Sequence, residues 1–352
     1  MSTAKVITIL HPSSAVNNIV NDASGNVAVG NNLTVAGALV PSSSFKRNRL
    51  INGNMAADQR NAGATQTITA AAALAYTVDR FYAYSTGANV TGQQVAGATA
   101  NQYRYRFTGA ASVTAIGFAQ RIEAINSADL AGTTATLSVD LANSLLTTVT
   151  WTAYYANTTD TFGSLASPTV TSIATGTFTV TSTVTRYNAQ ISIPSAATTG
   201  LQIVLSVGAQ TSGTWTIGSV QLEVGTKATP YEMQIYSDQL AQCLRYYQKT
   251  YDDSVVPGTA TRSGLIVSIA YTGAANWGGG FNLQTVMRAA PSISYWDGAG
   301  NASRVSYYAA SWSDNNNFIS SLLVISPKSV VPLSSVAVSA AAMIHYTASA
   351  EL

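Results

Sequence analysis

The chain has 352 residues, of which only 9% are charged, and a net charge of +2; ordinary soluble chains carry roughly 25% charged residues. With 47% hydrophobic residues it is not a disordered chain, and 17 Lys plus Arg with no basic block exclude a counterion-releasing nucleic-acid binder. No apolar run approaches the ~20 residues of a membrane span, and one cysteine with two histidines leaves no disulfide framework and no Cys/His metal cage.

In chain order, the first residues hold a short apolar run broken at His11-Pro12, a poor secretory signal, so synthesis in the cytoplasm is expected. Residues 25–45 are thin and turn-rich: in Gly25–Gly37, Gly-Asn turns alternate with apolar residues, and Val27, Val29, Leu33 and Val35 would share one face. A two-stranded hairpin is marginal in water. Either three copies wind around one axis and bury that face, or the stretch packs on the next domain.

Residues 46–236 alternate with the strand period of two between Gly, Asn, Ser and Pro clusters, which predicts one large antiparallel β-sandwich. In its closing segment Trp215, Ile217, Val220 and Leu222 should be buried, with a register change near Gly218. Trp151, Tyr154, Tyr155 and Asp160 are expected on a loop of this domain.

Residues 237–251 read as a connecting helix, capped by Ser237 or Asp238, with a stripe of Leu240, Leu244, Tyr247 and Tyr251. Residues 252–352 return to short strands and form a small distal β-sandwich. The fold class is therefore mostly β, with one short helix.

Catalytic motifs are missing from the sequence. Gly278-Gly279-Gly280 lacks the lysine of a phosphate loop, and with only His11 and His345 a Ser-His-Asp triad has almost no base. Glu123 and Glu223 are conceivable partners for glycoside hydrolysis, but carboxylates paired with Arg121 or Arg80 are the plainer reading. Asp297–Asn301 and Asp314–Asn317 offer oxygen ligands for calcium, yet their spacing reads more simply as turns. No metal or other cofactor is expected.

What remains is aromatic rings beside amides and carboxylates. Tyr271, Asn276, Trp277, Trp296, Asp297, Tyr307, Tyr308, Trp312, Asp314 and Asn315 are candidate glycan-binding residues. Sugar rings stack their C–H faces on aromatic rings, and their hydroxyls pair with amides and carboxylates. Burial in a sandwich core is the competing role for each ring. Val27, Val29, Leu33, Val35, Leu240, Leu244 and Tyr247 are candidate contacts between identical chains.

Several motifs resemble the tail fibre proteins of tailed bacteriophages. Asn48–Met55, Asp58–Gly63 and Tyr76–Tyr82 are similar to the opening of that family's sandwich domain, and Gln120–Glu123 to its central signature. Val220–Glu232 with Gln242–Tyr247 is similar to its closing segment, and Arg288–Pro291 and Tyr346–Leu352 to its distal tip. His11–Ala15 and Asp22–Val27 look like its virion-attachment segment.

The resemblance implies a virion-attachment segment at 1–24, a trimeric shaft at 25–45 and a carbohydrate-binding-module-like jelly roll at 46–236. Beyond the helix at 237–251 it implies a receptor-binding tip at 252–352. It further implies a homotrimer located in the virion tail fibre, with a baseplate or tail protein and a bacterial surface polysaccharide as partners, and neither nucleic-acid binding nor membrane insertion. A polysaccharide depolymerase tailspike and a purely structural fibre linker are the rival functions.

Overall fold

The structure is a computed structural model that describes residues 19–21, 27–29, 46–70, 74–99, 102–269, 280–308, 310–316, 319–334 and 341–352. The chain divides into two compact units, residues 1–45 and 46–352. In the first, Ile19–Asn21 and Val27–Val29 pair antiparallel, with Ile19 opposite Val29. Val27 and Val29 therefore sit in a hairpin strand; Leu33 and Val35 lie outside the described residues.

The second unit is built on two six-stranded antiparallel sheets. One runs Val170–Thr179, Thr148–Ala156, Leu201–Val207, Ala115–Ile122, Tyr82–Thr86, Ala75–Tyr76. The other runs Thr185–Ser192, Thr134–Asn143, Thr214–Val224, Tyr103–Thr108, Val90–Ala96, Gln66–Ile68. The chain crosses repeatedly between the sheets, as in a jelly roll, and inward residues of both form one core. Tyr105 stacks on Phe118 at 5.4 Å and Phe107 meets Phe118 edge to face at 5.8 Å, pinning the sheets together.

The closing strand follows the sequence pattern. Trp215, Ile217, Val220 and Leu222 are all buried, and the register against Thr134–Asn143 shifts between Gly218 and Gln221. Ser219, in the left-handed region at φ 47°, marks the bulge that keeps all four on one face.

Residues 48–55 clamp this bulge. Asn48 Nδ2 donates to Val220 O (2.9 Å), Leu222 N donates to Asn48 Oδ1 (3.0 Å), and Val220 N donates to Gly53 O (2.8 Å). The sandwich is thus closed by its first and last segments, 172 residues apart in the Asn48–Val220 contact.

The helix spans Tyr236–Leu244, shorter than the sequence stripe predicted, and its buried face is Gln239 and Cys243. Gln239 Nε2 donates to Asn52 Oδ1 (2.6 Å) and to Asn54 Oδ1, so an amide network seats the helix on the sandwich. Neither Ser237 nor Asp238 caps it; the N-cap is Ile235. Leu240 and Leu244 are half-buried. Tyr247 lies beyond the helix, in a strand Tyr247–Lys249 paired with Thr347–Ser349, and its ring is buried 3.8 Å below the Arg60 guanidinium. The helical spacing of Tyr247 and Tyr251 had a different cause: both are packed inside the distal part of the chain.

That distal part is organised by the strand Ala341–Ser349. It pairs with Tyr247–Lys249, Ile266–Ile269, Ser292–Trp296 and Val305–Tyr308. A three-stranded sheet of Phe281–Asn282, Ser329–Ser334 and Ile319–Ile325 accompanies it, and Phe281 stacks on Tyr346 at 4.6 Å. The last residues return to the sandwich: Arg80 pairs with Glu351, Arg60 with Glu351 (3.1 Å), and Arg121 Nη1 donates to Leu352 O (2.7 Å).

Candidate functional site

The strand Val305–Tyr308 and the strand Trp312–Asn316 form a hairpin. Strand parity puts Ser306 and Tyr308 on one face and Tyr307 on the other. Tyr308 lies directly opposite Trp312; the ring centroids are 5.3 Å apart, tilted by 56°. The rings remain 44% and 41% exposed, and two adjoining rings left in water form the kind of exposed patch that marks a binding surface.

Charged and hydroxyl groups flank these rings. The Arg262 guanidinium lies 4.6 Å from the Trp312 ring centre and pairs with Asp314 Oδ2 at 2.7 Å. Asp314, two residues beyond Trp312, shares its face, and its Oδ1 accepts from Ser306 Oγ (2.6 Å). Ser306 Oγ in turn accepts from Gly298 N (2.7 Å). The register shifts between Val305 and Tyr307, where Asn315 takes φ 64°, so the hairpin bulges beside this network.

Asp297 holds the neighbouring loop. It is fully buried and accepts from Ala299 N (3.0 Å), Asn301 N (2.8 Å), Asn301 Nδ2 (2.8 Å) and Asn315 N (2.5 Å). Burial would raise its pKa, but those donors outweigh it and hold the carboxyl below the usual aspartate value. Its oxygens are committed to the turn, so Asp297 fixes the hairpin rather than facing a ligand. Asn315 accepts from Arg304 Nε (3.1 Å) at the exposed rim.

The ten sequence candidates therefore separate. Tyr308, Trp312 and Asp314 come together on one exposed face, with Asn315 at its edge. Tyr307 is half-buried on the opposite face. Trp296 is half-buried against Tyr251, edge to face at 6.2 Å, and belongs to a packed cluster in which Tyr251 stacks on His345 at 3.9 Å. Tyr271, Asn276 and Trp277 lie outside the described residues. Arg262 was missed in the sequence, because nothing local places it under Trp312, 50 residues on.

The middle-domain group is corrected. Trp151, Tyr154 and Tyr155 lie on the strand Thr148–Ala156 rather than a loop, and Trp151 is core, covered by Gly176. Asp160 Oδ1 accepts from Ala124 N (2.7 Å). Tyr154 instead joins Tyr76, Tyr82 and Tyr84 in a satellite cluster on the outer side of its sheet.

Glu123 and Glu223 are both buried and lie at the ends of strands in different sheets. Glu123 accepts from Arg245 Nε and Nη2 (3.1 Å each) and from Tyr246 OH (3.0 Å). Glu223 accepts from Thr229 N (2.8 Å), Thr229 Oγ1 (2.7 Å) and Gln221 Nε2 (2.9 Å). Among the described residues no group of three or more His, Cys, Asp or Glu is arranged to hold a metal ion.

No protein-family model and no curated protein matches the chain. Solved structures similar to it include a CBM4 module, at 16% identity over 49% of this chain and 98% of the module, with a TM-score of 0.32. A family 11 carbohydrate-binding module of a Clostridium thermocellum cellulase is similar at 14% identity over 44% of this chain and 92% of that one, TM-score 0.29. The enzymatically active domain of bacteriophage CBA120 tailspike protein 4 is similar at 16% identity over 51% of this chain, TM-score 0.31, and the match spans 22% of that protein. Likenesses of this strength carry no functional argument; the sandwich rests on the strand pairing above.

Proposed function

We propose that the protein is a non-enzymatic receptor-binding fibre of a tailed bacteriophage. It is a homotrimer made in the host cytoplasm, joined to the virion by its N-terminal segment, and its tip recognises bacterial surface polysaccharide. The observation that carries this reading is the exposed Tyr308–Trp312 pair beside Arg262 and Asp314. Two tilted rings give a sugar its stacking surface, and the guanidinium and carboxylate give its hydroxyls a donor and an acceptor.

Support for the assembly is separate. Met233, Ile235 and Tyr236 are 45%, 68% and 46% exposed, at the start of the helix that carries half-buried Leu240 and Leu244. A run of large apolar side chains left in water fits a contact between copies, and Val27 and Val29 are separate candidates for such a contact in the N-terminal unit. Three tips on one fibre raise weak glycan contacts to useful avidity. The structural hydrogen bonds of Glu123 and Glu223 support recognition over hydrolysis.

The test uses the full chain. Light scattering should give three copies, and excess protein should block adsorption of the virus to its host. A monomer that neither binds glycan nor competes would overturn the proposal. Shortening of the polysaccharide would favour a depolymerase, and a trimer that fails to compete would favour a linker.

A further inference from the structure

Away from the tip, a pocket of about 440 Å³ opens where residues 46–51, the end of the strand Ala115–Ile122 and the end of the helix meet. Its lining includes Lys46, Arg49, Arg80, Arg121 and Arg245 and contains no carboxylate. In a chain with 17 cationic side chains in all, five around one cavity of sugar-ligand size is a concentrated positive field.

Each arginine is oriented by the fold. Arg80 is 2% exposed, with its guanidinium 3.4 Å from the Tyr246 ring and its Nη2 donating to Arg121 O (2.7 Å). Its backbone sits in the left-handed region at φ 72°, a conformation a non-glycine side chain adopts only when its surroundings require it. Arg121 Nε donates to Gln202 Oε1 (3.0 Å), its Nη1 to Leu352 O (2.7 Å) and its Nη2 to Gly163 O (2.9 Å), so all three of its nitrogens are held in place. Carboxylates outside the lining meet three of the five: Glu351 meets Arg80, Asp129 meets Arg49 at 2.5 Å in a surface pair, and Glu123 meets Arg245. Among the described residues Lys46 makes no ion pair, and the lining keeps an excess of positive charge.

The pocket also has an apolar side. Ile51 and Ile122 line it, and Ile125 stands at its edge 80% exposed. Asn48, Gln120, Asn126 and Gln242 supply amides.

We infer that this pocket binds an oxyanion carried on a small polar body, a carboxylate- or phosphate-bearing sugar unit. The anion would lie between Lys46, Arg49 and Arg245, where charge-assisted hydrogen bonds are strongest, and the sugar body would rest on the isoleucines. The site is distinct from the aromatic face, and the inference stands whether or not that face binds glycan.

Calorimetric titration of the full chain with inorganic phosphate and, separately, with glucuronate tests it. Saturable binding of either is expected, and which of the two binds identifies the carboxylate or the phosphate source. The double variant Lys46→Gln/Arg49→Gln should bind at least about tenfold more weakly, the loss that removal of charge-assisted hydrogen bonds produces. Both residues are at the rim, Lys46 exposed and Arg49 28% exposed, so the variant keeps its fold, which unchanged thermal unfolding without ligand verifies. Trp312→Ala should bind phosphate or glucuronate as the parent does. No binding of either probe, the same response to chloride at matched ionic strength, or parent-like affinity in the double variant would overturn the inference.

Discussion

Arg80 and Glu351, 271 residues apart, meet as an ion pair whose side chains are 2% and 5% exposed. Glu351 also receives Arg60 at 3.1 Å, so a single carboxylate from the last strand's extension neutralises two guanidiniums of the sandwich. Arg60 stacks on Tyr247 and Arg80 on Tyr246, which draws the helix exit into the same cluster. The distal strands are thereby welded to the sandwich.

Removing that carboxylate leaves the buried Arg80 without an ion-pair partner and Arg60 with Asp79 alone, at 3.3 Å. Glu351→Gln should lower unfolding stability by about 3–5 kcal/mol, the usual effect of breaking a buried pair from one side. Urea unfolding measures it. A loss below about 1 kcal/mol would mean that the pair behaves as a surface contact.

Gly53 faces the bulge so closely that an added Cβ would run into Val220 O, with Asn48 Nδ2 and Tyr231 OH also near. Backbone, unlike a long side chain, cannot swing aside. Gly53→Ala should therefore destabilise by about 1–3 kcal/mol, as overpacking does. Thermal unfolding checks this, and an unchanged midpoint would show that the clamp is looser than described.

His345 sets a pH dependence. It is fully buried; Nε2 donates to Thr261 O (3.1 Å) and Nδ1 accepts from Thr250 Oγ1 (3.0 Å), while Thr250 Oγ1 accepts from Tyr346 N (3.0 Å). Burial holds its pKa below the usual 6.5 despite the hydrogen bond to Thr261 O and the charge of Asp252. As pH falls below 6.5 the unfolded chain takes up the proton first, so this group's contribution is present at neutral pH and is lost on acidification. Asp79 acts in the opposite sense: burial pushes it up to about 6, so the folded state gains from acid between 3.8 and 6. Comparing parent with His345→Gln at pH 7.5 and about 5.5 cancels the Asp79 contribution. The parent should lose more stability than the variant; equal losses would contradict a neutral buried imidazole.

The sandwich was legible because its information is local. Alternation in Trp215–Leu222 and a glycine at the register change announce a bulged core strand before any partner is known. The helix end was not legible. Tyr247 and Tyr251 continue the spacing of Leu240 and Leu244, but the chain leaves the helix after Leu244 to pair with Thr347–Ser349, about 100 residues later. The same distance problem hid Arg80–Glu351.

The binding face was half legible. Trp296 and Trp312 look alike in sequence, each beside acidic and amide residues. Tyr251 and the loop carrying Gly258 cover the first, while strand parity at a hairpin end leaves the second in water. Arg262 and the basic pocket emerge only when segments from remote parts of the chain converge.

The most direct measurement is the affinity of the full chain for host envelope polysaccharide, compared with Trp312→Ala. A ring 41% exposed contributes little to folding, so the variant should unfold within about 0.5 kcal/mol of the parent. Its affinity should fall by about 2 kcal/mol, roughly thirtyfold, as for an aromatic anchor. A variant with parent-like stability and undiminished polysaccharide binding would contradict the assignment of the Tyr308–Trp312 face.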